Sequence, residues 1–425
     1  MSRLTRWPLA LCAAGLVLSA VPANAAVVVP AGGFVGHGTT AQVKEGIDVA
    51  HDAGARWVSL SQSWESLEPQ PDSYLTPGGA GTATWDALGE RLAYAKAKGM
   101  SVELRFANAP QWASGRAGSD DPPTPANVPA YGQFLSDLAQ RFGPLLDAYS
   151  PWNEPNLTRF WNPVSPEAYT ALQKVAYTSI KAVDPSATVL TAAIVGRYSG
   201  QNSGYSFLRR SYQAGLKGHA DVIGWNGYPG GEPESDGPLE SGVPAANTLP
   251  AQLYLRTLID EFDPGRRVWI METGWSTCVS CNVSAANGVT EAQQADYLTR
   301  AFTYRRRYLT GITDRIFWYQ LRDEGTDRSD WFQNQGVVRA DLSPKPALAA
   351  FRALGTDIPE PGAPGTGSPA ATPAAASAVL PPAAARLGLP TTATSAKGRV
   401  VLGKPRLTAR RGIFTLVVKV AVRGG

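Results

Sequence analysis

The sequence predicts an α/β chain: a closed (β/α)8 barrel over residues 26–355, then a Pro/Ala-rich linker and a short basic, β-prone C-terminal segment. Three observations predict it. Eight short apolar runs alternate with helix-like stretches, which is the rhythm of a parallel sheet whose strands are joined by helices. Eight such units in about 325 residues match a closed barrel. The Gly-rich turn that an open, doubly wound nucleotide-binding sheet carries after an early strand does not occur.

The elements follow in order. Residues 1–25 read as a secretory signal peptide: Arg3 and Arg6, then the apolar run LALCAAGLVLSAV, then ANA before the cut. The run is short for a membrane span, and export is the expectation. The eight apolar runs are GFVGHG near 33, RWVSLS at 56, SVELRFA at 101, LDAYSPWNE at 146, ATVLTAAI at 187, DVIGWNGY at 221, RVWIMETG at 267 and RIFWYQL at 315. Between them lie segments such as TAQVKEGIDVAHDAG, WDALGERLAYAKAKG, PAYGQFLSDLAQRFG, PEAYTALQKVAYTSIKAVD and TEAQQADYLTRAFTYRRRYL, several opening on Thr or Pro and several closing on Gly.

After the barrel the composition breaks. Residues 356–398 are dominated by Pro, Ala, Gly, Ser and Thr, a semi-extended linker with almost nothing to bury. Residues 399–425 alternate apolar and polar positions around ARRG, which suggests a hairpin, marginal alone. The net charge of +4 conceals an asymmetry: residues 26–360 carry −7 and residues 361–425 carry +9. Such a tail is either a weak contact to anionic envelope polymers or a remnant of a larger β module.

Cys12 leaves with the signal peptide, so Cys278 and Cys281, in CVSC, remain and are expected to form a disulfide in an oxidising compartment. The histidines, His37, His51 and His219, are scattered, and no second cysteine pair exists. Neither a zinc site nor any other cofactor is expected.

Active sites of this fold lie at the C-terminal ends of the strands. Glu154 closes the fourth run and Glu272 the seventh, each near tryptophan. Glu103 lies inside the third run, where alternation lets it face outward or take an ion-pair role. Two carboxylates facing one pocket suit glycosidic hydrolysis, one protonated as acid and the other ionised to attack the anomeric carbon. Sugar faces also need aromatic platforms. Trp64, Trp112, Trp161, Trp275, Trp318 and Trp331 fall at strand ends or in the loops after them, and two or three are expected to touch sugar.

WNEPN at 152–156 and ETGW at 272–275 resemble the large clan of retaining barrel glycoside hydrolases that includes the cellulase-like family 5 and the xylosidase-like family 39. The likeness extends through GARWVSLSQSWESLEP, NAPQWA, WNGYP and FWYQLRDE, nearly all of 30–355. The resemblance implies that Glu154 is the acid/base and Glu272 the nucleophile, and that Asn153 binds the sugar 2-hydroxyl. It also implies that Tyr228 donates to the nucleophile and that Trp318 lies under the reactive sugar, with Trp275 in the same motif. Two positions depart: Ser59 stands where many relatives carry arginine, and Asn226 where many carry histidine. Arg105, at the end of the third run, could replace that arginine, and the residues expected to bind substrate are Asn153, Arg105, Asn226, Tyr228, Trp275 and Trp318. The expected partner is a carbohydrate, with no nucleic acid and no membrane span. The alternatives are a non-catalytic carbohydrate-binding barrel and a cell-envelope-associated scaffold.

Overall fold

The computed structural model describes residues 39–354, apart from 117–119, 197–201, 236–246 and 282–287. It also describes the backbone of 398–424 apart from 403–405, 411–412 and 418–419. The signal peptide, the first run near 33 and most of the linker lie outside the described residues.

The second to eighth runs form parallel strands: β1 (Trp57–Ser63), β2 (Ser101–Ala107), β3 (Ala148–Ser150), β4 (Thr188–Val189), β5 (Ile194–Val195), β6 (Val222–Asn226), β7 (Arg267–Thr273) and β8 (Thr313–Trp318). They pair in the orders β1-β2-β3-β4 and β5-β6-β7-β8. The fifth run is therefore two short strands rather than one. It still joins the two sheets, because Asn153 bridges to Ala193 on one side and Leu190 to Val222 on the other, both in parallel. The fourth run is shorter than expected, since regular pairing stops at Ser150. The proline-flanked WNEP segment after it holds on through the Asn153 bridge alone.

Ten helices among the described residues complete the alternation: α1 (Thr40–Asp52), α2 (Trp64–Leu67), α3 (Thr82–Ala97), α4 (Gln111–Ser114), α5 (Val128–Phe142), α6 (Pro166–Val183), α7 (Gly204–Gln213), α8 (Ala251–Phe262), α9 (Glu291–Tyr308) and α10 (Pro346–Ala353). Their starts are encoded locally. Thr39 with Gln42 and Thr290 with Gln293 form capping boxes for α1 and α9, and Ser165 caps α6 ahead of Pro166. The helices bury one face each; α5 buries Tyr131, Phe134, Leu135 and Leu138. Burial of such side chains stabilises by about 1.5–3 kcal/mol each.

The strands curl around a shared interior. Trp57 of β1, Ala148 of β3, Val222 of β6, Trp269 and Met271 of β7 and Phe317 of β8 belong to one buried cluster. Trp57 meets Trp269 at 5.1 Å and Phe317 at 6.4 Å between ring centroids, so the first and last described strands contribute to the same core. No described helix is long and apolar enough to cross a membrane.

The chain divides into two units at Ala383/Ala384. In the second, β9 (Gly398–Leu402) pairs antiparallel with β12 (Val420–Gly424), and β10 (Arg406–Arg410) with β11 (Ile413–Val417). Along the chain, β10 and β11 lie between β9 and β12.

Candidate active site

The chain leaves β3 through Pro151 and Trp152 and presents Glu154 at the strand ends. Three contacts hold it there. The Glu154 amide donates to the Ala193 carbonyl at 2.9 Å. Asn156 clamps the backbone of Val195 in β5, donating to its carbonyl at 2.9 Å and accepting from its amide at 3.0 Å. The Trp152 indole donates to the Phe160 carbonyl at 3.1 Å. Glu154 itself has φ +41°, left-handed backbone that costs a non-glycine residue about 1–2 kcal/mol. Strain of this kind gathers at functional sites.

Glu272 lies on β7, 7 % exposed. Register shifts in β6–β7 between Trp225 and Asn226, and in β7–β8 between Ile270 and Thr273, fall at the same strand ends, where bulges re-aim side chains. The Glu272 carboxylate accepts on both oxygens: Arg105 Nη1 donates to Oε1, and the Tyr228 hydroxyl to Oε2. Arg105 Nη1 also donates to Asn153 Oδ1 at 3.1 Å. Arg105 is thus the guanidinium that bonds Glu272, while Ser59 bonds Glu103. Burial, then the Glu272 charge, holds the Tyr228 phenol well above its ordinary range, so it stays a donor.

Glu154 is held differently. Its Oε1 accepts from Asn226 Nδ2 at 2.9 Å. Burial and the neighbouring Glu272 charge push its carboxyl up to about 7, against the opposing pull of Asn226, Arg105 and Arg159. One carboxylate accepts a donor on each oxygen while the other is kept a weak acid, and both line one cleft of about 1500 Å³.

Asn153, Tyr228 and Trp275 also line that cleft. Three other residues expected at the sugar do not. Arg105 and Asn226 are 1 % and 0 % exposed, behind the carboxylates they bond. Trp318 is 1 % exposed and packs at 5.4 Å behind Trp275; the next residue, Tyr319, reaches the cleft in its place. Of the six tryptophans considered, Trp275 and Trp331 line the cleft, joined there by Phe160, Tyr319 and Phe332. Glu103 is not outward-facing. It is fully buried, accepts from the Ser59 hydroxyl, and stands in the field of Arg105.

The Cys278–Cys281 disulfide is present, with Cα atoms 5.6 Å apart. Beside it lies a buried cation that sequence reasoning missed. Lys345 Nζ donates to Thr277 Oγ1 at 2.9 Å, to Asp323 Oδ1 at 2.8 Å and to the Asn334 carbonyl at 3.3 Å. It ties the loop after β7 to the segment after β8 that carries Trp331. Among the described residues no group of three His, Cys, Asp or Glu side chains is disposed to hold a metal ion.

Solved structures share this architecture. A family 39 glycoside hydrolase from Bacteroides cellulosilyticus superposes with a TM-score of 0.60 at 22% identity, over 74% of this chain and 60% of its own. A family 5, subfamily 18 enzyme from Streptomyces cattleya, solved with GlcNAc, gives 0.56 at 16%, over 76% and 77%. An exo-β-1,4-mannosidase from an Opitutaceae bacterium gives 0.53 at 15%, over 77% and 59%. The fold is that of the cellulase-like barrel glycoside hydrolases. The chain spans 60% of the length of the family 39 structure. No family model matches the chain, and no curated protein matches it. Within this fold, the carboxylate pair lies where the barrel's C-terminal strand ends open into the cleft.

Proposed function

We propose that the chain is a secreted retaining glycoside hydrolase that cleaves O-glycosidic bonds of a polysaccharide or oligosaccharide. The observation that carries this reading is the division of labour in one cleft: Glu272 accepting from Arg105 and Tyr228, and Glu154 raised to about 7. Glu272 attacks the anomeric carbon while Glu154 passes its proton to the departing oxygen. A glycosyl ester on Glu272 results. Glu154, now ionised, takes a proton from water, and that water attacks the same carbon from the opposite face to the ester. Two inversions give net retention. A guanidinium can only donate, so the Asn153 oxygen faces Arg105 and its NH2 is the end offered to a sugar hydroxyl. Proton NMR of the first-formed product is expected to show the substrate's own anomer; the opposite anomer would overturn the assignment.

Trp331 meets Tyr228 edge-on at 5.7 Å, beside the nucleophile, and Phe332 next to it is 47 % exposed. A sugar ring stacked there gains about 1 kcal/mol. Trp331→Ala is therefore expected to raise KM on an oligosaccharide about fivefold with kcat little changed. An unchanged KM would mean that the chain of sugars does not pass over Trp331.

Export and a tail contact to anionic envelope polymers belong to the same proposal. Deleting residues 360–425 is expected to leave turnover of a small soluble glycoside unchanged and to weaken retention on isolated envelope. Salt should weaken retention too, because screening acts beyond about 10 Å at 0.1 M. Loss of activity on the small glycoside would place the tail within the catalytic domain.

A further inference from the structure

Glu103 is a buried ionisable group that this reaction leaves without a task. It and Arg105 are two apart on β2 and so project from the same face. Ser59, directly opposite in the β1–β2 register, donates to Oε2; Oε1 has no hydrogen-bond partner, and the residue is 0 % exposed. The charged groups acting on it among the described residues are Arg105 on its own strand and Glu272 on β7. β1 faces it with Ser59, and β3 offers Ala148 as its register partner. The interior therefore holds three carboxylates, Glu103, Glu154 and Glu272, that all stand in the field of the Arg105 guanidinium, with Arg159 acting on Glu154 as well.

One buried cation balances one buried anion; each further uncompensated anion is costly. We infer that Glu103 is a positioning residue: as a neutral acid it leaves the Arg105 guanidinium to Glu272 and Asn153, and as a carboxylate it draws the guanidinium away from them. The inference rests on the hydrolase reading of the Glu154–Glu272 pair. Burial pushes the Glu103 carboxyl up to about 7, with Arg105 and Ser59 opposing and the Glu272 charge adding to it. The exchange thus falls within the working pH of an enzyme. Arg105 Nη1 bonds the nucleophile and the Asn153 amide together. A displaced guanidinium loosens both, and misplacement of reacting groups by about 1 Å costs up to about 100-fold.

The test removes Glu154 from the titration. In Glu154→Gln, kcat/KM on a dinitrophenyl glycoside, whose leaving group needs no proton, is measured against pH. It is expected to fall by about 10- to 100-fold as pH rises through about 7. Adding Glu103→Gln should flatten that limb. Adding Ser59→Ala instead should move it to higher pH, because the lost donor favours the ionised form. A limb that persists without Glu103, or a single-variant profile that is flat or rises, overturns the inference. Infrared difference spectra of Glu154→Gln give a readout independent of turnover. The carbonyl band of a neutral buried acid should vanish across the same pH range and be absent once Glu103 is also glutamine. Its presence in that double variant, or its absence from the single one, likewise overturns the inference. If the unaltered protein turns over no glycoside at all, the hydrolase reading fails, and the infrared result still decides whether Glu103 titrates.

Discussion

Glu272→Gln is expected to lower kcat on an aryl glycoside by roughly 10⁴-fold or more, the scale on which removal of a covalent nucleophile is felt. The loss should be chemical and not structural. Glutamine keeps the shape, and its carbonyl oxygen can still accept from Arg105. Its NH2 then faces Tyr228, whose hydroxyl can accept as well as donate. The melting transition should therefore stay close to that of the parent. Azide should not rescue this variant, because the amide fills the carboxylate's space. In Glu272→Ala, where that space is vacated, azide should restore turnover and give a glycosyl azide of the opposite anomer to the substrate, because one displacement has replaced two. A variant that retains even a hundredth of parental kcat without azide would remove Glu272 from the nucleophile's role.

The sequence made the carboxylate pair legible for a physical reason. A charged residue closing an apolar run of a barrel is expected at the open mouth, and Glu154, just beyond β3, and Glu272, near the end of β7, close such runs. That Arg105 could stand near Glu272 was legible from its place late in the third run, and Arg105 Nη1 does bond Glu272. Strand parity decides where Glu103 points. If Arg105 points inward, Glu103 must also, since alternate residues of a strand share a face. Trp318 looked like a platform because it ends an apolar run, but the run's last residues turn Tyr319 and not Trp318 toward the cleft. Asn226 looked like a sugar ligand and instead donates to Glu154 from full burial. The Lys345 tie could not be read at all. Its partners Thr277, Asp323 and Asn334 are scattered through sequence and converge only when the loops after β7 and β8 pack together.

Glu154→Gln should separate substrates by their leaving groups. The acid is needed only where the departing oxygen must be protonated. Glycosides with unactivated leaving groups are therefore expected to lose about 10²–10⁴-fold in kcat/KM, while a dinitrophenyl glycoside loses far less at acidic pH. The second step still lacks its base, so the glycosyl ester should accumulate and be visible by intact mass on Glu272. Azide needs no base. It should release the ester as a glycosyl azide of the substrate's own anomer, in contrast to the product expected from Glu272→Ala. In the parent, the proton on Glu154 carries the reaction of unactivated substrates. Its folded-state affinity is raised, so activity is present below about 7 and declines as pH rises through it. With glutamine at 154 that contribution to the basic limb vanishes, and any limb left on an activated substrate belongs to Glu103. Rescue confined to Glu272→Ala but yielding the retained azide would mean that the two glutamates exchange roles, with Arg105 and Tyr228 then serving the acid.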